Sequence, residues 1–238
     1  MKIAMWSGPR NISTAMMYAF GARDDCAVWD EPFYAAYLTA TGLNHPMRAE
    51  IIAAGEPNAE KVIHACQGDA PCGAAVFYQK HMTQHMIPGL DRSWINDCTN
   101  VFLIRDPARV IASYAAKREN PTLDDIGFRQ QAELFDQVCQ STGQAPPVLD
   151  SHHIRADPAS ALNALCSAID LPYQPAMLNW PKGGHKDDGV WASHWYGAVW
   201  QSTGFAGVEN KLPAVPETLK PVYAAATNYY EKLAAYAI

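Results

Sequence analysis

Short apolar runs alternate with stretches of helical spacing along the first two thirds of the chain. The runs fall at Lys2 to Trp6, Ala27 to Trp29, Ala74 to Tyr78, Val101 to Ile104 and, more weakly, Val148 to Leu149. Between them, helices are predicted from about Ile12, behind Pro107 where Val110, Ile111 and Tyr114 recur, over Leu123 to Gln140, and from Asp157-Pro158 to about Ile169. This alternation predicts an α/β fold in three layers, α/β/α, with a mainly parallel central sheet. From Pro172 to Pro216 the periodicity fails, broken by Pro175, Pro181, Gly183, Gly184, Gly189, Gly204 and Gly207, yet the stretch holds Trp180, Trp191, Trp195 and Trp200. So aromatic a segment predicts a packed lid over a site rather than disorder. Helical spacing returns over Pro216 to Ile238, with Leu219, Val222, Tyr223, Tyr230 and Leu233 as the core stripe.

In a parallel sheet, ligands bind beyond the carboxyl ends of the strands. Here those ends read Ser7-Gly8-Pro9-Arg10, Asp30-Glu31-Pro32, Gln79-Lys80-His81 and Arg105-Asp106-Pro107. All four are expected to converge on one site. With 238 residues, 49% of them hydrophobic, the chain is expected to form a single domain spanning 1–238. A net charge of −6 argues against a nucleic-acid or membrane-surface binder, so any anion must be held by local charges. Six scattered cysteines without C-x-x-C pairing, together with the lack of a signal segment or long apolar run, predict a soluble cytoplasmic protein with reduced thiols.

The first strand runs directly into Ser7-Gly8-Pro9-Arg10-Asn11-Ile12-Ser13-Thr14 and then a helix. A helix start leaves N–H groups unpaired and carries the positive end of the helix dipole, so an anion is stabilised there without a metal. Ser13 and Thr14 add hydroxyls, and Arg10 adds a permanently charged fork. The second motif is the buried strand Phe102-Leu103-Ile104 turning through Arg105-Asp106-Pro107 into a helix that carries Ser113. Arg105 and Ser113 are placed to reach one phosphate at the sheet edge.

These two motifs resemble those of the sulfotransferase family. Its members share a P-loop-like fold and transfer a sulfuryl group from 3′-phosphoadenosine 5′-phosphosulfate to a hydroxyl or amine. The resemblance sets Pro9 and Arg10 on the Pro-Lys/Arg of the family's 5′-phosphosulfate loop, Asn11 and Ile12 on its Ser-Gly, and Ser13 and Thr14 on its threonines. Arg105 and Ser113 fall on its 3′-phosphate ligands. Lys80 and His81 fall on a catalytic pair after the third strand, and Lys182-Gly183 with Gly189-Val190-Trp191 is similar to a segment that closes over the nucleotide. One departure is Ile12 in place of glycine, which a β-branched residue fills comfortably only at negative φ. Another is arginine at position 10, which clamps charge but cannot give up a proton.

Two groups compete as the base that deprotonates the acceptor. His81 lies at a strand end, and Glu31 matches a glutamate of the family's tyrosine-modifying branch; the alternative for Glu31 is a pairing with Arg10 or Lys80. His81 and His85 form an H-x-x-x-H pair, but no glutamate follows His81, so no metal is expected. Of the aromatics, Phe33, Tyr34, Tyr37 and Tyr78 are read as core. Two other functions stay open. A P-loop kinase needs a glycine and a lysine that are missing after Gly8, and a non-catalytic phosphoadenosine binder is kept in play by Ile12. The expected partner is a small-molecule acceptor of unspecified identity.

Overall fold

The computed structural model describes residues 1–116, 120–209 and 211–238. Five strands, β1 (Lys2–Ser7), β2 (Cys26–Asp30), β3 (Val76–Met82), β4 (Thr99–Ile104) and β5 (Val148–Asp150), form one sheet in the order β2-β3-β1-β4-β5. Every pairing is parallel. Strand β1 is buried from Ile3 to Ser7, as a central strand covered on both faces must be. The chain leaves β1 toward one edge of the sheet and later crosses to the other. The carboxyl end of β1 is therefore the switch point, where a crevice opens.

Two apolar layers sandwich the sheet. On one face Ile3, Met5 and Tyr78 pack against the helices Ser13–Gly21 and Pro158–Ala168. On the other, Ala4, Trp6 and Phe102 meet the helices Phe128–Thr142 and Lys220–Ala234. Leu219 and Leu233 of the expected C-terminal stripe are buried, as is Ala226 between them.

Strand β3 runs further than its apolar start predicts. Gln79, Lys80 and His81 belong to the strand itself, and all three are buried. Gln79 Nε2 donates to the Cys66 carbonyl at 2.8 Å, and His81 Nε2 lies 3.1 Å from Gln79 Oε1 on the same strand. The helix expected over Leu123 to Gln140 is two helices, Leu123–Ile126 and Phe128–Thr142, broken at Gly127. Gly127 adopts φ 71, and a Cβ there would lie 2.5 Å from Thr83 Oγ1, so the close approach of β3's end imposes the break. All six cysteines are free thiols.

The aperiodic segment packs inward, with Trp180 and Trp191 buried and the short helices Ala192–Trp195 and Gly197–Trp200 between them and the cleft. Its Asn210 lies outside the described residues. Among the described residues no helix is long and apolar enough to cross a membrane.

Candidate functional site

A cleft of about 370 Å³ opens at the switch point, walled by the loop after β1, the ends of β3 and β4, and the aperiodic segment. Ser7 and Gly8 do not reach it. Ser7 stays in the strand with its hydroxyl toward the Met82 sulfur, and Gly8 packs so tightly that a Cβ would lie 2.6 Å from the Ile126 carbonyl. Pro9, Arg10, Asn11, Ile12, Ser13 and Thr14 do line it. The helix Ser13–Gly21 starts there with no side chain capping its first N–H groups, so its positive end faces the cleft.

Ile12 has φ 54, not the negative φ expected of a β-branched residue. The loop keeps the left-handed turn that glycine gives more cheaply. The conformation costs about 1–2 kcal/mol, and packing of the Ile12 side chain against the Met16 and Met17 layer offsets it. Arg10 (φ 61) and Glu31 (φ 42) are also left-handed, which gathers three strained residues on one cleft wall.

One end of the cleft is crowded with arginines. Arg10 Nε donates to Ser113 Oγ at 2.9 Å, which brings the loop and the helix Pro107–Ala115 together as the two motifs require. Arg105, at the end of β4, donates to the Arg10 carbonyl and forks onto the carboxylate of Glu209. Arg109 and Arg155 approach the same carboxylate at 3.6 and 3.5 Å. Burial and the neighbouring Arg105 push the Arg10 pKa down, the mark of like charges held together. Sequence reasoning missed Arg155. It sits on the short helix after β5, and the carboxyl end of that fifth strand was the available signal.

At the opposite end one cation is fully enclosed. Lys80 Nζ contacts Asp30 Oδ1 at 2.7 Å, Glu31 Oε1 at 2.6 Å and the Tyr196 hydroxyl at 2.7 Å. All three ammonium protons are thereby committed. Burial alone would lower the Lys80 pKa, but Asp30 and Glu31 outweigh it and the net shift is upward. Burial raises the Glu31 carboxyl against the pull of Lys80. Tyr196 and the Gly189 amide both bond Asp30, so the aperiodic segment is bolted onto the end of β2.

The two histidines four residues apart separate completely. His81 points to the other face of the sheet, stacked on Trp6 at 4.7 Å and flanked by Phe33 and Trp94, and it does not line the cleft. Burial pushes its pKa down to about 3. His81 is a core histidine, because each step along a strand reverses the face and Lys80 takes the side toward the cleft. His45 and His85 both line the cleft wall, and His85 is sandwiched between Tyr34 at 4.8 Å and Tyr37 at 4.7 Å. Its Nδ1 is buried without a hydrogen-bond partner, and burial, then His45, Lys80 and His81, hold its pKa well below the usual value. The sequence signal was the H-x-x-x-H pair itself. Tyr34, read as core, is also on the wall, while Phe33, Tyr37 and Tyr78 are core.

Lys182 and Gly183 are not at the cleft. Lys182 is exposed and the Gly183 amide donates to the Trp200 carbonyl at 2.9 Å; residues 195–206 of the same segment form the wall instead. Among the described residues no three His, Cys, Asp or Glu side chains are grouped to hold a metal.

The chain is 36% identical over 207 residues to branched-chain-amino-acid aminotransferase-like protein 1 of Arabidopsis thaliana, covering 86% of this chain. It is 33% identical over 214 residues to protein 2 of the same name, covering 90% of this chain. It spans 36% and 38% of those relatives' own lengths. In fold it is similar to the sulfotransferase of Alicyclobacillus acidocaldarius (TM-score 0.57, 10% identity, 100% and 96% of the two chains). It is also similar to the sulfotransferase domain of the Synechococcus PCC 7002 olefin synthase (TM-score 0.53, 14% identity, 98% and 94%). A family model for the sulfotransferase domain matches residues 1–237, and the chain belongs to the sulfotransferase domain family.

Proposed function

We propose that this chain transfers a sulfuryl group from 3′-phosphoadenosine 5′-phosphosulfate to a small hydroxyl- or amine-bearing acceptor. The observation that carries this reading is the meeting of an uncapped helix N-terminus with Arg10, Arg105 and Arg155 on one cleft wall. Such a wall is short of negative charge, and Arg155 Nε is buried there without a partner. A nucleotide with phosphate at one end and phosphosulfate at the other fits that deficit. Residues Pro9 to Thr14 would hold the phosphosulfate, and Arg105, Ser113 and Arg155 the 3′-phosphate. When bound, the donor supplies an activated sulfuryl group whose departure leaves negative charge on the bridging oxygen.

Catalysis by the chain is then electrostatic and positional, as in phosphoryl transfer. Arg10 and the helix terminus stabilise charge on the leaving oxygen without giving up a proton. His85 takes the acceptor proton: it is on the wall, neutral at neutral pH, and not engaged at Nδ1. Glu31, already accepting from Lys80 and Tyr196, positions the wall. Lys80 in turn anchors that network rather than clamping the transferring group. Tyr34 and Trp195 enclose the acceptor and keep water out.

Calorimetry with adenosine 3′,5′-bisphosphate tests the reading. Arg105→Ala is expected to weaken binding by about 2 to 4 kcal/mol, the range for stripping one side of a buried charged contact. ATP with magnesium should bind far more weakly than the bisphosphate. Equal affinity for the two would remove the 3′-phosphate assignment and favour a nucleotide kinase.

A further inference from the structure

The arginine end of the cleft is already filled by a piece of the chain. The Glu209 carboxylate receives the Arg105 fork and is approached by Arg155 at 3.5 Å and by Arg109 at 3.6 Å. Arg105 and Arg155 by themselves set two partly buried cations on one monoanion, with Arg10 beside them. Arg155 shows the consequence. Burial lowers its pKa, Glu209 pulls it up, and Arg105 and Arg109 push it down again. Glu209 also follows directly on residues 204–206, which line the same cleft, and Arg155 Nη1 reaches the Gly207 carbonyl at 3.2 Å. The carboxylate is thus tethered at its seat by the chain that walls the nucleotide end.

We propose that Glu209 is an internal stand-in for a ligand phosphate, seated on Arg105, Arg109 and Arg155 until a dianion displaces it. The inference rests on the reading of that seat as the 3′-phosphate site. A tethered carboxylate competes at a local concentration of about millimolar or above, so a ligand must exceed its interaction to enter. A phosphate dianion offers more charge and three acceptor oxygens to the same donors, whereas a nucleotide without that phosphate has nothing to exchange for Glu209. Glu209 therefore makes the seat selective against weak anions, and its displacement releases residues 204–209 from the arginines when the nucleotide binds.

The test is calorimetry on the wild type and on Glu209→Gln with adenosine 3′,5′-bisphosphate, adenosine 5′-monophosphate and inorganic phosphate. Hydrogen exchange of residues 204–209 in the wild type is followed alongside. Glu209→Gln should bind the bisphosphate and inorganic phosphate at least tenfold more tightly, with the monophosphate changed less than twofold. In the wild type, the bisphosphate should speed amide exchange at 204–209. Unchanged or weaker phosphate binding by Glu209→Gln, or slower exchange on ligand binding, overturns the proposal. Should Glu209→Gln tighten inorganic phosphate while the wild type binds bisphosphate and monophosphate equally, the stand-in holds and the 3′-phosphate reading fails. The exchange measurement needs no variant, so a Glu209→Gln protein that does not fold still leaves the proposal decided.

Discussion

The two ends of the cleft treat buried charge in opposite ways. At the β4 and β5 end, Arg105 and Arg155 share one carboxylate among the described residues, Glu209, and Arg10 stands beside them. At the β2 and β3 end, one ammonium is enclosed by two carboxylates and a hydroxyl. Desolvating an ion costs several kcal/mol, so a charge with no external partner must be completed from within. The Lys80 network is completed and holds shape. The arginine end is left electrostatically unfinished, which is what a site that takes its last charge from a ligand requires.

Five substitutions sharpen or break this contrast. His85→Ala is expected to lower kcat by roughly 10² to 10⁴ with bisphosphate affinity unchanged, since a base acts in the transition state. Under the same assay Glu31→Gln should cost less; the reverse ranking would move proton transfer into the charge-completed network. Lys80→Met should destabilise the fold by about 3 to 5 kcal/mol in urea titration, because two buried carboxylates lose their cation. A loss under about 1 kcal/mol would mean the network is not internally completed.

Tyr196→Phe keeps the ring but removes the hydroxyl that donates to Asp30 at 2.8 and 2.9 Å, and about 1.5 to 3 kcal/mol is expected. Proteolysis within 189–206 should rise with it if this bond fastens the segment. The smallest effect on turnover is expected at His81. Its folded pKa of about 3 lies below the unfolded value, so its contribution is full above about pH 6.5 and is lost as pH falls toward 3. The loss is about 1.4 kcal/mol per pH unit, and His85 adds in the same direction. His81→Phe should flatten the acid limb of stability against pH while leaving turnover within a few fold. A hundredfold loss of turnover would return His81 to the chemistry.

Period and punctuation made the strands, their parallel sheet and the two strand-to-helix turns at the cleft legible. Lys2 to Trp6 is apolar because it is covered on both faces, and Gly8-Pro9 followed by Ser13-Thr14 marks a strand-to-helix turn wherever it occurs. The polar tail of β3 reads as a strand end because Gln79 and Lys80 bond to other segments and His81 stacks on Trp6, and no local pattern reports that. The helix expected over Leu123 to Gln140 likewise breaks at Gly127, because Thr83 approaches it only in the fold.

The sequence by itself determined the α/β alternation, the turn from β1 into a helix start with Arg10, and the Arg105 and Ser113 spacing. These are set by residues within a turn or two of one another, where chain geometry leaves little choice. Tertiary structure decided which histidine reaches the cleft, that Lys80 is neutralised, that residues 195–206 rather than Lys182-Gly183 form the wall, and that Arg155 and Glu209 meet Arg105. Each of those depends on face reversal along a strand or on contacts between segments far apart in the chain. Charge satisfaction in a low-dielectric interior selects such contacts only once the sheet has brought the segments together.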